Sequence, residues 1–122
     1  MKWDLKSDRP IYIQLVEQIK MRIISGAYKP GDKLPSVRDF AQEAEVNPNT
    51  MQKALTELEQ KGLVYTQRTS GRFITEDEEM IKRIKNELAV EQTTDFLKRM
   101  KELGFDKEEI LTLMRDVIKE LK

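Results

Sequence analysis

Residues 36–62 read SVRDFAQEAEVNPNTMQKALTELEQKG, and the elements encoded in this stretch decide the fold. Its apolar positions recur at helical spacing in two runs, with a tight turn near Glu45 between them. Ser36 is typical of a helix N-cap, and Asn47 followed by Pro48 is typical of another helix start. The stretch therefore predicts two short helices, the second of which carries polar side chains in its first two turns.

The segments on either side of this stretch complete a small domain. Before it, apolar residues follow one helical face from Pro10, taken as the first helical position, to Ile23, and Gly26 suits the position just after a helix end. After it, residues 63–66 and 72–75 are β-prone and flank a short loop that contains glycine. The order helix, short helix, tight turn, helix and β-hairpin is that of a winged helix-turn-helix.

The rest of the chain predicts a different kind of unit. All four prolines and four of the five glycines lie before residue 72, and from residue 76 the apolar positions again follow the helical period. Gly104 interrupts this run, so two helices are expected around it. The sequence thus predicts an α+β, mostly α fold. We expect a winged helix-turn-helix domain at 9–75 and a two-helix unit at 76–122.

Composition excludes several classes of function. The 22 basic and 22 acidic residues cancel, but residues 1–75 carry three more basic than acidic residues and are the part expected to meet a polyanion. The lack of histidine and cysteine removes Cys/His zinc sites, disulfides and Ser-His or Cys-His catalysis, so we expect no enzyme, metal or cofactor. No apolar run is long enough for a bilayer and no signal peptide is recognisable, so we expect a cytoplasmic protein with no membrane partner.

The winged helix-turn-helix order has two functional interpretations. The second helix of the pair presents short polar side chains near its N-terminus, where base edges are reached in a major groove, and its free N–H groups favour phosphate. The hairpin tip carries Arg68 and Arg72 around Ser70 and Gly71, and such a cationic loop can approach a sugar–phosphate backbone closely. Periodicity alone leaves DNA binding and protein interaction about equally favoured.

Spaced motifs across residues 9–75 resemble the GntR family of bacterial transcription regulators. They are PIYxQ at 10–14, GxYxPGDxLPSxR at 26–38, NPNTxxKA at 47–54, LExxGLV at 58–64 and GxF at 71–73. The tail, with MxxLGF at 100–105 and EEI at 108–110, is similar to the YtrA subfamily, in which a two-helix C-terminal unit replaces the larger ligand-binding domains of other members. The resemblance implies a winged-helix protein whose partner is a double-stranded DNA operator.

The resemblance also implies DNA contacts at individual positions. Arg38 matches a DNA-contacting arginine at the start of the family's second helix, and Gly71 matches the wing-tip glycine that enters the minor groove. Four polar residues between 47 and 52 match the reading positions of the recognition helix. Many relatives carry arginine where this chain has Pro48 and Gln52, so their base preference does not transfer. The candidate DNA-binding residues are Ser36, Arg38, Asn47, Asn49, Thr50, Gln52, Lys53, Arg68, Ser70, Gly71 and Arg72.

Several of these residues also have a purely structural interpretation. Arg38 could form a surface ion pair with Asp39 or Glu45. Asn47 could serve only as a helix cap. Arg68 and Arg72 could protect the edge of the hairpin against pairing with another strand. These alternatives stay open at the level of sequence.

The tail has more apolar surface than it can bury alone, because roughly 47 residues are too few for an independent core. A second copy of the chain would cover that surface. The candidate dimerisation residues are Ile84, Leu88, Phe96, Leu97, Met100, Ile110, Leu111, Met114, Val117 and Ile118.

Together these patterns predict a sequence-specific DNA-binding regulator, in its simplest form a repressor, that binds an inverted-repeat operator as a homodimer. The alternative is a winged-helix protein-interaction module without specific DNA binding. The small-molecule effector is unknown. Because two helices per subunit enclose little space, we expect either no metabolite site or a small one between subunits.

Overall fold

The computed structural model describes residues 3–121 and has the predicted mostly helical winged helix-turn-helix architecture. Its elements are α1 (Ile11–Ile24), α2 (Val37–Ala44), α3 (Pro48–Gln60), β1 (Val64–Gln67), β2 (Gly71–Ile74), α4 (Glu78–Glu102) and α5 (Lys107–Glu120). The chain divides into two compact units, and the division between them lies after Arg83, inside α4. The domain boundary after residue 75 stays a prediction.

Local sequence chemistry explains where the first three helices begin and end. The helix α1 starts one residue later than predicted, because Pro10 has an extended ψ of 134° and acts as the N-cap. The side-chain oxygens of Ser36 and Asn47 cap α2 and α3, accepting hydrogen bonds from backbone N–H groups at 3.2 and 2.8 Å. Glu45 takes the left-handed conformation, with φ of 58°, in the tight turn between α2 and α3. The predicted helix pair is therefore confirmed.

The core of the first unit forms where α3 packs against α1, α2 and β1. Full burial of each large apolar side chain stabilises the fold by about 1.5–3 kcal/mol relative to exposure. The largest buried apolar side chains are Phe40, Leu15, Ile19, Ile23, Met51, Leu55, Leu58, Leu63, Ile74 and Val64. All three helices contribute to this set, so the core fixes α3 in place against the rest of the unit.

The wing is the antiparallel hairpin β1–β2, paired from Val64 with Ile74 to Gln67 with Gly71. Its first strand begins one residue later than predicted, and its second strand begins and ends one residue earlier. The turn before α2 also pairs with β2, since the Ile74 N–H donates to the Asp32 carbonyl at 2.8 Å. A two-stranded hairpin alone is only marginally stable in water, and this third segment gives β2 a partner on each side.

Two glutamine side chains of α1 hold the N-terminal segment in an extended path. The Gln14 amide accepts from the Lys6 N–H at 2.7 Å and donates to the Lys6 carbonyl at 2.6 Å. One turn later, Gln18 makes the same pair of bonds with the backbone of Asp4, at 3.2 and 2.6 Å. Each amide thus replaces the partner strand that an extended backbone needs.

Trp3 anchors the same segment at its far end. Its ring meets the edge of Phe40 at a centroid distance of 5.5 Å. The guanidinium carbon of Arg22 lies 3.5 Å from the centre of the Trp3 ring, a cation–π contact on a buried arginine. These two contacts fix Trp3 between α1 and α2.

The second unit contains most of α4, from Ile84 onward, and all of α5. Gly104, with φ of 97°, interrupts the helical run between them, and Asp106 and Glu109 form a capping box with hydrogen bonds of 2.9 Å in both directions. Met100 and Ile110 are buried within the unit. Among the described residues, none of the helices has the length and apolar character needed to cross a bilayer.

Candidate nucleic-acid interface

The first turns of α3 present a polar surface. Asn49 and Gln52 are exposed, and Thr50 is half-buried. Within the described residues, no hydrogen bond occupies the side chain of Asn49. The Gln52 amide nitrogen lies 3.2 Å from the Thr56 hydroxyl one turn along, a bond that is easily exchanged at an exposed site. These side chains are available to donors and acceptors from outside the protein.

The two capping residues have part of their hydrogen-bonding capacity committed. The Ser36 hydroxyl and the Asn47 amide oxygen each accept from the backbone of their own helix. The Asn47 amide nitrogen and the Ser36 hydroxyl proton are still able to donate. The structural interpretation of Asn47 as a cap is therefore confirmed, and contacts of either residue with DNA stay a prediction.

Arg38 lies near the start of α2 and is exposed. In the part of the chain that the structure describes, its guanidinium forms no ion pair, so the pairing with Glu45 that the sequence allowed does not occur. An unpaired arginine can make two parallel charge-assisted hydrogen bonds to a phosphate. Its exposed guanidinium thus fits the predicted role.

Lys53 is held over an aromatic ring by a contact that the sequence analysis missed. Its ammonium nitrogen lies 3.9 Å from the centre of the Tyr12 ring, a cation–π distance. Tyr12 belongs to the PIYxQ motif and is half-buried on α1. The ring restricts the lysine to the side of α3 that faces α1, but leaves its three N–H donors able to bind an anion.

The two arginines of the wing lie in different surroundings. Arg68 is exposed in the loop beside Ser70, and among residues 3–121 it forms no ion pair. Gly71 has φ of 108°, a conformation that L side chains rarely adopt, and an added Cβ would also lie 3.4 Å from the Lys33 side chain. Arg72 instead turns toward α3, where its Nε lies 2.6 Å from a carboxylate oxygen of Glu59.

Glu59 binds both strands of the wing. The same oxygen, Oε1, accepts from Arg72 Nε and from the Thr66 hydroxyl, each at 2.6 Å. Partial burial raises the pKa of Glu59, but the hydrogen bonds from Thr66 and Arg72 and the positive charge of Arg72 outweigh it, so the pKa lies below its ordinary range. Glu59 is therefore ionised at neutral pH. It lies in the LExxGLV motif, and no role was predicted for it.

A cleft of about 810 Å³ lies between the start of α2 and the wing. It brings together five of the predicted residues, and Arg38 is not among them. A cation that the sequence analysis missed, Lys33, also lines the cleft, together with the carboxylate of Asp39. The lining residues of predicted function are Ser36, Arg68, Ser70, Gly71 and Arg72. The cleft thus contains two cations that form no ion pair in the described chain, Lys33 and Arg68, and several hydroxyl groups. These groups make it suitable for a phosphodiester.

The predicted dimerisation residues differ in exposure. Met100 and Ile110 are buried inside the second unit. Leu111, Val117 and Ile118 are exposed, at 47%, 48% and 61%. The remaining five are half-buried: Ile84, Leu88, Phe96, Leu97 and Met114. Exposed apolar side chains that the prediction omitted are Val90, Leu103, Phe105, Leu113 and Leu121.

Comparison with known proteins identifies relatives of this chain. The model of the bacterial regulatory proteins, gntR family, matches residues 11–74. YhcF of Bacillus subtilis (strain 168), an HTH-type transcriptional regulator, is 46% identical over 106 residues, covering 87% of this chain and 88% of YhcF. The HTH-type transcriptional repressor YtrA of the same organism is 47% identical over 74 residues, covering 61% of this chain and 57% of YtrA.

Solved structures agree with these relatives. A GntR family transcriptional regulator from Listeria monocytogenes is 39% identical, with a TM-score of 0.85 over 97% of this chain and 100% of that chain. The DNA-binding domain of AraR, solved in complex with operator ORE1, is 30% identical, with a TM-score of 0.53 over 62% of this chain and 94% of that chain. The chain therefore belongs to the GntR family of bacterial regulatory proteins, has relatives of the YtrA and YhcF type, and is a transcriptional regulator with a DNA-binding helix-turn-helix.

Proposed function

We propose that this regulator binds a specific inverted-repeat operator as a homodimer and represses transcription by occupying a promoter. The observation that carries the proposal is a set of polar side chains at the protein surface, together with cationic side chains that form no ion pair in the described chain. These lie at the N-terminal turns of α3, at Arg38 and at the wing loop. The operator complex of the related AraR domain supports the DNA partner, and the name of YtrA supports repression.

Individual roles follow from the geometry of each side chain. We propose that Asn49, Thr50 and Gln52 reach base edges, where a glutamine amide can pair with adenine. Arg38, and Lys53 beside its tyrosine, would bind phosphates and position the helix. The cleft between α2 and the wing, with Arg68 at its edge, would receive the backbone of one strand. Ser36 and Ser70 would add hydroxyl contacts there, and Gly71 would allow close approach to the minor groove.

The exposed apolar side of the second unit supports the homodimer. Leu111, Val117 and Ile118 on α5, and Leu121 just after it, are all at least 47% exposed. A groove of about 560 Å³ between α4 and α5 is lined by four apolar side chains, among them Leu97 and Leu111, together with two threonines and three lysines. Monomeric proteins rarely expose continuous apolar surface of this kind, and a second copy offers a matching surface by symmetry. Twofold symmetry would then require an inverted repeat in the DNA.

The proposal is tested by selecting a randomised pool of DNA duplexes with the purified protein and sequencing the enriched molecules. We expect an inverted repeat whose half-sites are separated by a multiple of the helical turn, and a dimer mass by light scattering. A monomer that enriches no duplex at low salt would overturn the proposal. It would favour the alternative of a protein-interaction module that uses the apolar surface of α5.

We also propose that the protein represses transcription, that it is cytoplasmic and that it has no membrane partner. Repression is tested by placing the enriched operator across a promoter in a reporter strain. Expression should fall when the regulator is present and return when it is removed. An increase in expression would identify an activator instead.

A further inference from the structure

We propose that Glu59 is a positioning residue that sets the orientation of the wing relative to the recognition helix α3. The inference rests on the proposed function, because it concerns how the wing meets DNA. In this arrangement Glu59 holds Arg72, and Arg68 is the wing arginine that can bind phosphate.

The geometry makes one oxygen atom the junction of three elements. Thr66 on β1 and Arg72 on β2 are direct cross-strand partners, so their side chains project from the same face of the hairpin. Both donate to Oε1 of Glu59, in the last turns of α3, at 2.6 Å. A rotation of the wing relative to α3 would therefore break both hydrogen bonds together.

Shielding from solvent makes the contact stronger than an ordinary surface ion pair. The side chains of Arg72 and Glu59 are only 19% and 30% exposed. Hydrogen bonds to ionised groups are shorter and stronger than those between neutral groups, and partial burial reduces their screening by salt. The pKa of Glu59, which its partners hold below the ordinary range, agrees with a carboxylate that stays charged in this position.

The proposal and simple electrostatics predict opposite changes in DNA affinity when Glu59 is removed. A carboxylate near a DNA-binding surface repels phosphate, so its removal by itself should strengthen binding. If Glu59 instead orients the wing, its removal should weaken binding, because the contacts of Arg68 are then lost. Glu57 is a matched control on the same helix, since its only ion pair in the described chain is a long one of 4.0 Å to Lys61.

The experiment measures binding to the duplex that the wild-type protein enriches from a randomised pool. E59A should weaken operator affinity roughly tenfold, a typical cost for losing a charge-assisted contact. E59Q should weaken it less, since glutamine retains an acceptor oxygen, and E57A should bind as tightly as the wild type or slightly more tightly. E59A and R68A should not be additive, because each removes the same contact.

A second measurement reports the wing without DNA. The chain has no cysteine, so Q60C and T69C would be the only attachment sites for a pair of spin labels on α3 and on the wing loop. Pulsed electron paramagnetic resonance should give a narrow distance distribution in the wild-type background and in E57A, and a broad or shifted one in E59A. This result does not depend on whether the protein binds DNA.

The outcomes separate the inference from the proposed function. An unchanged distance distribution in E59A, equal or tighter operator binding, or full additivity with R68A would overturn the positioning role. If the wild type enriches no duplex while E59A still releases the wing, the proposed function fails and the orienting role of Glu59 stands. If E59A does not fold, T66V removes only one of the two hydrogen bonds and is expected to show the same changes at smaller size.

Discussion

Replacing Arg38 by alanine should weaken operator binding without weakening the fold. The guanidinium is exposed and has no ion pair in the described chain, so its loss breaks no internal contact, and stability should change by less than about 0.5 kcal/mol. For the same reason no internal bond has to be broken before the arginine binds phosphate. The full value of a charge-assisted hydrogen bond, about 1.5–3 kcal/mol, would then be lost.

This loss corresponds to an affinity roughly 10- to 100-fold lower. If Arg38 neutralises one phosphate, the slope of log affinity against log salt should also decrease in magnitude by about 0.9. Fluorescence anisotropy with the enriched duplex at several salt concentrations measures both quantities, and a thermal melt followed by circular dichroism measures stability.

Arg9 provides the matched control for Arg38. It is also an exposed arginine, but its guanidinium already pairs with Glu17 at 3.0 Å. R9A should therefore leave both affinity and salt slope close to those of the wild type. If R38A and R9A behave alike, net charge rather than a specific contact explains binding, and the reasoning about Arg38 is refuted.

Three other experiments test the remaining features. Charged residues at Leu111 and Met114 should split the dimer, because they place charge in an apolar interface, and a dimer mass retained in light scattering would exclude that surface. Q14L removes three hydrogen bonds of 2.6–2.9 Å, two of them to Lys6, and should lower stability by about 2–4 kcal/mol. The corresponding fall in Tm is roughly 10 °C in a calorimetric scan, and an unchanged Tm would show that the N-terminal segment adds nothing to the fold. Because the pKa of Glu59 is lowered on folding, its contribution to stability is complete above its unfolded pKa of about 4.3 and is lost as pH falls below that value. Denaturant titrations from pH 3 to 7 should therefore show the wild type losing its advantage over E59Q only in acid, and a constant difference would contradict the shift.

The features that the sequence predicted well are those decided by neighbouring residues. The caps at Ser36 and Asn47 and the break at Gly104 each depend on chemistry within about four residues, and each occurs where it was predicted. The motif residues of the helix-turn-helix are of the same kind. Local signals were therefore sufficient for the order of the elements and for the family.

The features that the sequence did not predict depend on residues far apart in the chain. The strands of the wing lie one residue away from their predicted bounds, because pairing with the turn at Asp32 also constrains β2. Arg72 could equally have faced solvent, and only the fold brings Glu59, 13 residues away, to its side. In the tail, the apolar pattern does not distinguish Met100, which is buried inside the unit, from Leu111, which is exposed.

The position of the N-terminal anchor has an optical consequence. Trp3 is the only tryptophan in the sequence, so the intrinsic indole emission of the protein comes from one place, between Phe40 and the guanidinium of Arg22. Phe40 belongs to α2, which supports the recognition helix. Any event that releases the N-terminal segment should move the ring into water and shift its emission to longer wavelength. The protein thus carries a built-in fluorophore that reports on this end of the DNA-binding unit without a label.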